Sequence, residues 1–331
     1  MPVFNLLTSF LPKLVHDQFF VTPKVPTTDC TGKTIIVTGA NVGLGKEAAR
    51  HYVRLNAEKV ILACRSTQKG EVAKQDIETS TKRTGIVEVW SLDLQDYESV
   101  RRFVKRAQGL QRIDSVVESA GISTFDFKIV AGNESTITTN VVSTFLLALL
   151  ILPKLQETGR ETGITPTISI VSSGVHFIPS FPERKTSSIF GTLNNPKTAN
   201  MMDRYNLSKL LEVLVCREIA REHPVKQMRV TLNFVCPAWC HSELVREMDS
   251  AVLRLIMRLV CRTTEVGSRT LVHAGLSGPD THGKWLSNCK ITSCAPLVEG
   301  KEGRDIQRRV WQELAEKLEE IEPGVTKVLE V

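Results

Sequence analysis

The chain has 331 residues, 42% of them hydrophobic and 24% charged, with a formal net charge of +6. These proportions describe a soluble globular chain with a sizeable core, organised as one large α/β domain or two small ones. The basic residues are scattered, without the runs that mark a nucleic-acid surface; this excludes nucleic acid as the expected partner and leaves affinity for a phosphorylated small molecule open.

The eight cysteines (30, 64, 216, 236, 240, 261, 289 and 294) include no C-x-x-C pair and, with the histidines, no zinc spacing. Cys236, Cys240 and His241 lie close together but read as isolated thiols beside a loop histidine. Reduced cysteines, a cytoplasmic location and no metal are the expectation.

At the N-terminus, Phe4, Leu7, Leu11, Leu14 and Val15 are spaced for an amphipathic helix. It is expected to pack on its own domain, with weak contact to a membrane surface as the other reading. The segment lacks the basic start and continuous apolar core of a signal peptide. Residues 22–33, rich in proline, read as a linker, which makes 1–32 a lead-in. The longest apolar run, 145–153, is too short for a bilayer and stops at Pro153, so no transmembrane segment is expected.

From Lys33 onward, apolar and β-branched runs at 33–39, 59–65, 86–94, 115–119, 167–173, 229–237 and 283–287 alternate with helical patterns. The latter include 44–55, 96–109, 133–157, 205–222 and 303–321. Runs of this kind belong to strands buried on both faces. The alternation predicts a single doubly wound parallel sheet of the Rossmann-like α/β class, with helices on both faces, over 33–290. Residues 291–331 then form a helical extension.

The first strand runs into "TGANVGLGKEAAR". Gly39, Gly43 and Gly45, with Asn41 and Leu44 between them, place a glycine turn at the opening of a helix. There the backbone can approach a pyrophosphate and free N–H groups face the anion. The second strand ends in Cys64-Arg65-Ser66, without the acid that holds a ribose 2′-hydroxyl. The Arg65 guanidinium can pair with a 2′-phosphate, so NADP(H) is expected over NAD(H). Asp93, followed by Leu94, closes the third strand. Two readings stand for it: a carboxylate for the adenine amino group, or the N-cap of the helix beginning near Asp96.

With "DRYNLSKLLEV" added, the pattern resembles the short-chain dehydrogenase/reductase family, over roughly 33–290. T-G-x-x-x-G-x-G is met by Thr38, Gly39, Gly43 and Gly45, and Y-x-x-x-K by Tyr205 and Lys209. The family's serine falls on Ser173, with Ser172 as the other register, and its helical asparagine on Asn140. The pattern is most similar to retinol-dehydrogenase-like and fungal secondary-metabolism members. The resemblance implies that Tyr205 exchanges a proton with the substrate oxygen and that Ser173 holds that oxygen. It further implies that Lys209 reaches the nicotinamide ribose and that Asn140 positions a water linking Lys209 to solvent. Residues i and i+4 of a helix share a face, so the Lys209 ammonium is expected to lower the Tyr205 pKa.

Two departures stand out. Glu118-Ser119-Ala120-Gly121 replaces N-N-A-G, and Pro237-Ala238 replaces P-G. Ser119, Ala120 and Gly121 can still floor the cofactor site, but Glu118 in the core needs a partner or a raised pKa. Ser242 takes the place of a threonine near the carboxamide.

The expected activity is hydride transfer, with NADP(H), to or from a bulky hydrophobic carbonyl/alcohol pair, by a monomer or homodimer. The bulk is inferred from two apolar segments. One, 174–203, is predicted to lie over the site mouth. The other is a lid at 240–262, with Val252, Leu255, Ile256 and Leu259 striped against Arg254, Arg258 and Arg262. Their competing reading is that both merely pack on the domain. The competing functions are a non-redox enzyme using the same pocket, or a non-catalytic NADP-binding scaffold.

Overall fold

The computed structural model describes residues 11–241 and 260–330. The strands are β1 (Thr34–Thr38), β2 (Lys59–Cys64), β3 (Val87–Ser91), β4 (Ser115–Glu118), a two-residue hairpin β5 (Ile129–Val130) and β6 (Asn133–Glu134), β7 (Thr167–Val171), β8 (Thr231–Cys236), β9 (Trp285–Ser287) and β10 (Lys290–Thr292). All but the hairpin join one eight-stranded sheet in the order β10-β9-β8-β7-β4-β1-β2-β3. Every pairing is parallel except β9 with the edge strand β10. The inner strands β1, β7 and β8 are buried along their whole length, as their unbroken apolar and β-branched runs require.

The longer helices are α1 (Leu11–Phe20), α2 (Gly43–Arg54), α3 (Thr67–Thr81), α4 (Tyr97–Gln108), α5 (Ser135–Thr162), α6 (Met201–Glu222), α7 (Thr264–Gly275) and α8 (Gly303–Ile321). They cover both faces of the sheet. On one face, Ala48, Tyr52 and Val53 of α2, Ile77 of α3 and Leu271 of α7 pack on Ile35, Val37 and Leu62. On the other, Phe103 of α4, Phe145 and Leu149 of α5, Leu210 and Leu214 of α6, and Trp311 and Leu314 of α8 form a second core. The chain order reverses at β1, between β4 and β2, so a crevice opens at the carboxyl ends of these strands.

Some expectations are refined and one, for the N-terminal helix, holds. The helix expected over 133–157 runs on to Thr162 as α5, passing through Pro153, and a π-turn at Thr138–Val142 interrupts it near its start. The resulting helix is long and apolar enough to cross a membrane by length and composition, yet 94% of its apolar window is buried inside the protein. Its apolarity therefore serves the core. The N-terminal helix packs on its own domain: Gln18 Nε2 donates to the carbonyls of Trp239 (2.9 Å) and Val260 (2.8 Å), and Arg262 donates to Val21 O (2.6 Å). This bracing ties α1 to both sides of the segment 242–259.

The segment 174–203 is only partly a flap. Phe181, Ile189, Phe190 and Leu193 are fully buried in the second core. Glu313 of α8 accepts from Ile189 N (2.7 Å) and Phe190 N (3.2 Å), and Arg309 donates to Arg184 O (2.8 Å). Two of its three phenylalanines thus serve packing, because α8 offers them an apolar face. The lid residues Ser242, Val252, Arg254, Leu255, Ile256, Arg258 and Leu259 lie outside the described residues.

Candidate active site

The glycine turn is built by close packing on one side and open space on the other. Gly39 has φ +64, and a Cβ there would sit 2.9 Å from Ala120 Cα; one on Gly45 would sit 2.8 Å from Gly39 O. Gly43 also has a positive φ (+60), but a Cβ on it would meet nothing within 4 Å. Helix α2 begins at Gly43 with no side-chain cap from Val42, leaving N–H groups free toward that space. Thr38 Oγ1 accepts from Ala120 N at 2.9 Å, joining the ends of β1 and β4 beneath it. Asn41 and Leu44 are half-buried on the turn.

At the end of β2, Cys64 is buried and Ser66 caps α3 by accepting from Lys69 N (3.3 Å). Arg65 between them is exposed and forms no ion pair among the described residues. The two readings of Asp93 separate here. The cap of α4 is Asp96, which accepts from Glu98 N at 2.9 Å. Asp93 accepts instead from Gln95 N at 2.9 Å and does not cap the helix. Leu94 is buried beside it.

Ser173, at the end of β7, lies close enough to Tyr205, in the first turns of α6, for its hydroxyl to act on the phenol, and that hydroxyl accepts from Val175 N at 3.3 Å. Ser172 turns the other way: its hydroxyl donates to Lys209 O at 3.1 Å. Lys209 Nζ lies 5.8 Å from the Tyr205 ring centroid. It donates to Val171 O (2.8 Å) and to Glu212 Oε1 (2.8 Å).

The expected lowering of the Tyr205 pKa is not found. Burial first, then the Glu212 carboxylate and Cys236, push the phenol above its ordinary value, while the Ser173 hydrogen bond acts the other way. After burial, the larger cause, comes the acid that Lys209 is paired with: the Lys209 and Glu212 side chains are 6% and 2% exposed. A carboxylate so close cancels the ammonium's field at the ring. Glu212 was not among the expected site residues, although an acid at i+3 from Lys209 is a legible signal.

The Asn140 side chain holds the loop after β4. Its Nδ2 donates to Ile122 O and Ser208 Oγ (each 2.9 Å), and its Oδ1 accepts from Ile122 N (2.9 Å). With both amide hydrogens committed this way, its side chain is a clamp on the loop after β4. Gly121 lies against that clamp, where a Cβ would stand 3.2 Å from Asn140 Oδ1. Ser119 is half-buried at the mouth of the crevice.

The two departures have distinct outcomes. Glu118 is 3% exposed with neither carboxyl oxygen partnered; burial, reinforced by Glu212, raises its pKa well above the usual carboxylate range. Ala238 adopts φ +64, a left-handed conformation that suits glycine. Ala238→Gly is therefore expected to stabilise the fold by about 0.5–1 kcal/mol, read from the shift in denaturant midpoint. An unchanged or lower midpoint would mean that no strain is stored there.

A cavity of about 490 Å³ lined by Arg217, Arg221, Lys284 and Arg304, among others, contains none of these residues. It lies beside the amino end of β9, away from the crevice.

The model for "short chain dehydrogenase" matches residues 33–181. A short chain dehydrogenase/reductase, dmxR8, from Cryptosporiopsis sp. is 48% identical over 318 residues, covering 94% of this chain and 98% of its own. The chain belongs to the short-chain dehydrogenase/reductase family. As a short-chain dehydrogenase/reductase it is an oxidoreductase acting on a CH–OH/C=O pair, with a small-molecule substrate. The short-chain dehydrogenase anuD of Penicillium roqueforti is 41% identical, over 95% of this chain and 85% of its own. Among solved structures, the Pseudomonas aeruginosa RhlG/NADP active-site complex shares the fold at a TM-score of 0.57 and 19% identity, covering 80% of this chain and 97% of that one.

Proposed function

We propose that this short-chain dehydrogenase/reductase is an NADPH-dependent ketoreductase for a bulky hydrophobic carbonyl, working in the cytoplasm in secondary-metabolite biosynthesis. The observation that carries the reading is the meeting of the Ser173 and Tyr205 hydroxyls, with Lys209 behind them, at the strand ends that also hold the glycine turn. A nicotinamide cofactor, when bound, supplies the hydride. The open side of Gly43 and the uncapped start of α2 fit its pyrophosphate, and the unpaired Arg65 fits a 2′-phosphate. The NADP in the RhlG complex supports the same choice.

The chain's own residues manage the proton. Ser173 holds the substrate oxygen by a hydrogen bond. Tyr205, kept in its protonated form, donates its proton to that oxygen as the carbon is reduced. Glu118 is buried in the core beside Glu212, which speaks against its use in non-redox chemistry on a substrate. Exposed apolar side chains remain close to the catalytic residues along the chain: Ile178 after Ser173, Met202 one turn before Tyr205, and Trp239 after β8. They support a hydrophobic substrate.

Two assays test the reading. In a substrate panel, bulky ring-containing ketones should consume NADPH with kcat/KM far above that for acetoacetate-sized compounds; the reverse order would reject the substrate class. Arg65→Ala should weaken NADPH binding by about 1.5–3 kcal/mol, typical of a hydrogen bond to a charged group, and leave NADH nearly unchanged. Equal affinity of the unaltered protein for both cofactors would reject the cofactor choice.

A further inference from the structure

Ser173 is held by groups that the proton chemistry above does not use. Its backbone is extended (φ −156, ψ 154), and its hydroxyl accepts from Val175 N, which leaves the hydroxyl hydrogen for the substrate oxygen. The Ser173 carbonyl lies 2.7 Å from His176 Nδ1. His176 is 1% exposed, and its other ring nitrogen, Nε2, accepts from Ala295 N at 3.1 Å. Ala295 is buried in the segment that follows the edge strand β10, 119 residues further along the chain. The imidazole packs edge-on against Trp285 of β9, with centroids 4.6 Å apart and 81° between the planes, and tilts against Phe177 at 4.4 Å. The next backbone group, Gly174 N, donates to Cys236 Sγ of β8 at 3.1 Å.

We propose that His176 is a positioning residue for Ser173, its tautomer fixed by the Ala295 N–H so that Nδ1 carries the hydrogen and holds the Ser173 carbonyl. The inference rests on Ser173 holding the substrate oxygen. An amide N–H can only donate, so the Nε2 it meets is an acceptor and bare of hydrogen. The single hydrogen of a neutral imidazole then sits on Nδ1 and is donated to Ser173 O. Both ring nitrogens are spent on backbone groups, and neither is left for proton transfer.

Burial lowers the His176 pKa to about 4, against the opposing pull of the Ser173 carbonyl, so the ring is neutral and keeps this one tautomer at neutral pH. The arrangement gives the segment after β10 a share in the site. Ala295 fixes the imidazole, and the imidazole fixes the carbonyl of Ser173. That carbonyl sets the peptide plane whose N–H, at Gly174, is taken up by Cys236. A hydroxyl that must meet both a substrate oxygen and Tyr205 tolerates little displacement: a shift of about 1 Å can cost about a hundredfold in rate.

Two variants divide the imidazole. His176→Asn keeps an amide nitrogen as far from Cβ as Nδ1, so it can still donate to Ser173 O but loses Ala295 N. His176→Gln keeps an amide oxygen as far from Cβ as Nε2, so it can still accept from Ala295 N but loses the Ser173 carbonyl. Single-turnover reduction should be about 10–100-fold slower in His176→Gln and within about threefold of the unaltered rate in His176→Asn, with NADPH binding little changed in both. Denaturant midpoints should rank the other way, because asparagine leaves part of the buried imidazole's space empty. Rates that follow stability across the two variants overturn the proposal. In a Ser173→Ala background the two should turn over equally, since the group they position is gone; a His176→Gln loss that persists there also overturns it. NMR of the ring nitrogens needs no variant: the histidine whose ring protons contact Trp285 should carry its hydrogen on Nδ1, and a hydrogen on Nε2 overturns the proposal. Full turnover in Ser173→Ala would sink the reading of the site and this inference with it. A slow Ser173→Ala beside equal rates in the two single His176 variants would sink the inference alone.

Discussion

Tyr205→Phe is expected to lower kcat by about 10²–10⁴-fold, the usual contribution of a positioned acid, while NADPH binds within a few-fold of the unaltered affinity. The reason is local. Phenylalanine keeps the ring beneath Lys209 Nζ, 5.8 Å away, and removes only the hydroxyl that meets Ser173. No charged partner is left uncompensated, so the fold should keep its stability. Single-turnover kinetics with cofactor binding measured by fluorescence separate the two effects. A variant that keeps more than about a tenth of kcat, a barrier change under ~1.4 kcal/mol, would show that another group donates the proton.

Lys209→Ala is expected to fail in two ways. It removes the cation nearest Tyr205, and it strands Glu212, whose Oε1 lies 2.8 Å from Nζ in a site where both side chains are almost wholly buried. Losing one partner of a buried pair costs about 3–5 kcal/mol. The loss should depend on pH in a definite direction. Glu212 already has a raised folded-state pKa of about 7, and without Lys209 burial would raise it further. A carboxyl with a raised folded pKa contributes stability below its unfolded pKa and loses it as pH rises through the folded one. Lys209→Ala should therefore be least stable, relative to the unaltered protein, above pH 7, and adding Glu212→Gln should recover much of the loss. Denaturant midpoints at acidic and alkaline pH check this. A pH-independent difference would mean that the pair is not what holds that part of α6.

The strands of the main sheet were legible because parallel strands buried on both faces leave unbroken apolar runs, as in "TISIV" of β7 and "TLNFVC" of β8. Helix α8 was legible from Ile306, Val310, Leu314 and Leu318, a stripe at fourfold spacing that the structure buries. The edge strand β10 was not, since its three residues are partly exposed and its partner is antiparallel. The last turn of α5, beyond the expected end at 157, was not either, since "ETGRETG" carries little apolar pattern. Local pattern showed Phe181 and Phe190 as apolar, but which surface they cover is decided by α8, more than a hundred residues away along the chain.

At the site, residue identities were more legible than their electrostatics. Ser173, Tyr205 and Lys209 converge as the spacing required, and Ser172 turns away. The sign of the Tyr205 shift was missed because the i,i+4 relation to Lys209 was read without the burial of the ring, the larger cause, and without the acid at i+3. That acid matters only because both groups are buried. Asn140 was placed on the right helix, but its amide bonds depend on the path of the loop after β4, which no local pattern specifies.

The most direct test of the central claim follows the hydride itself. The protein is given a bulky ring-containing ketone and NADPH deuterated at the transferable C4 position of the nicotinamide, and the product is examined by mass spectrometry and NMR. The account predicts an alcohol with deuterium on the former carbonyl carbon, in step with the NADPH consumed. Product formed from that ketone without deuterium and without loss of NADPH would contradict it.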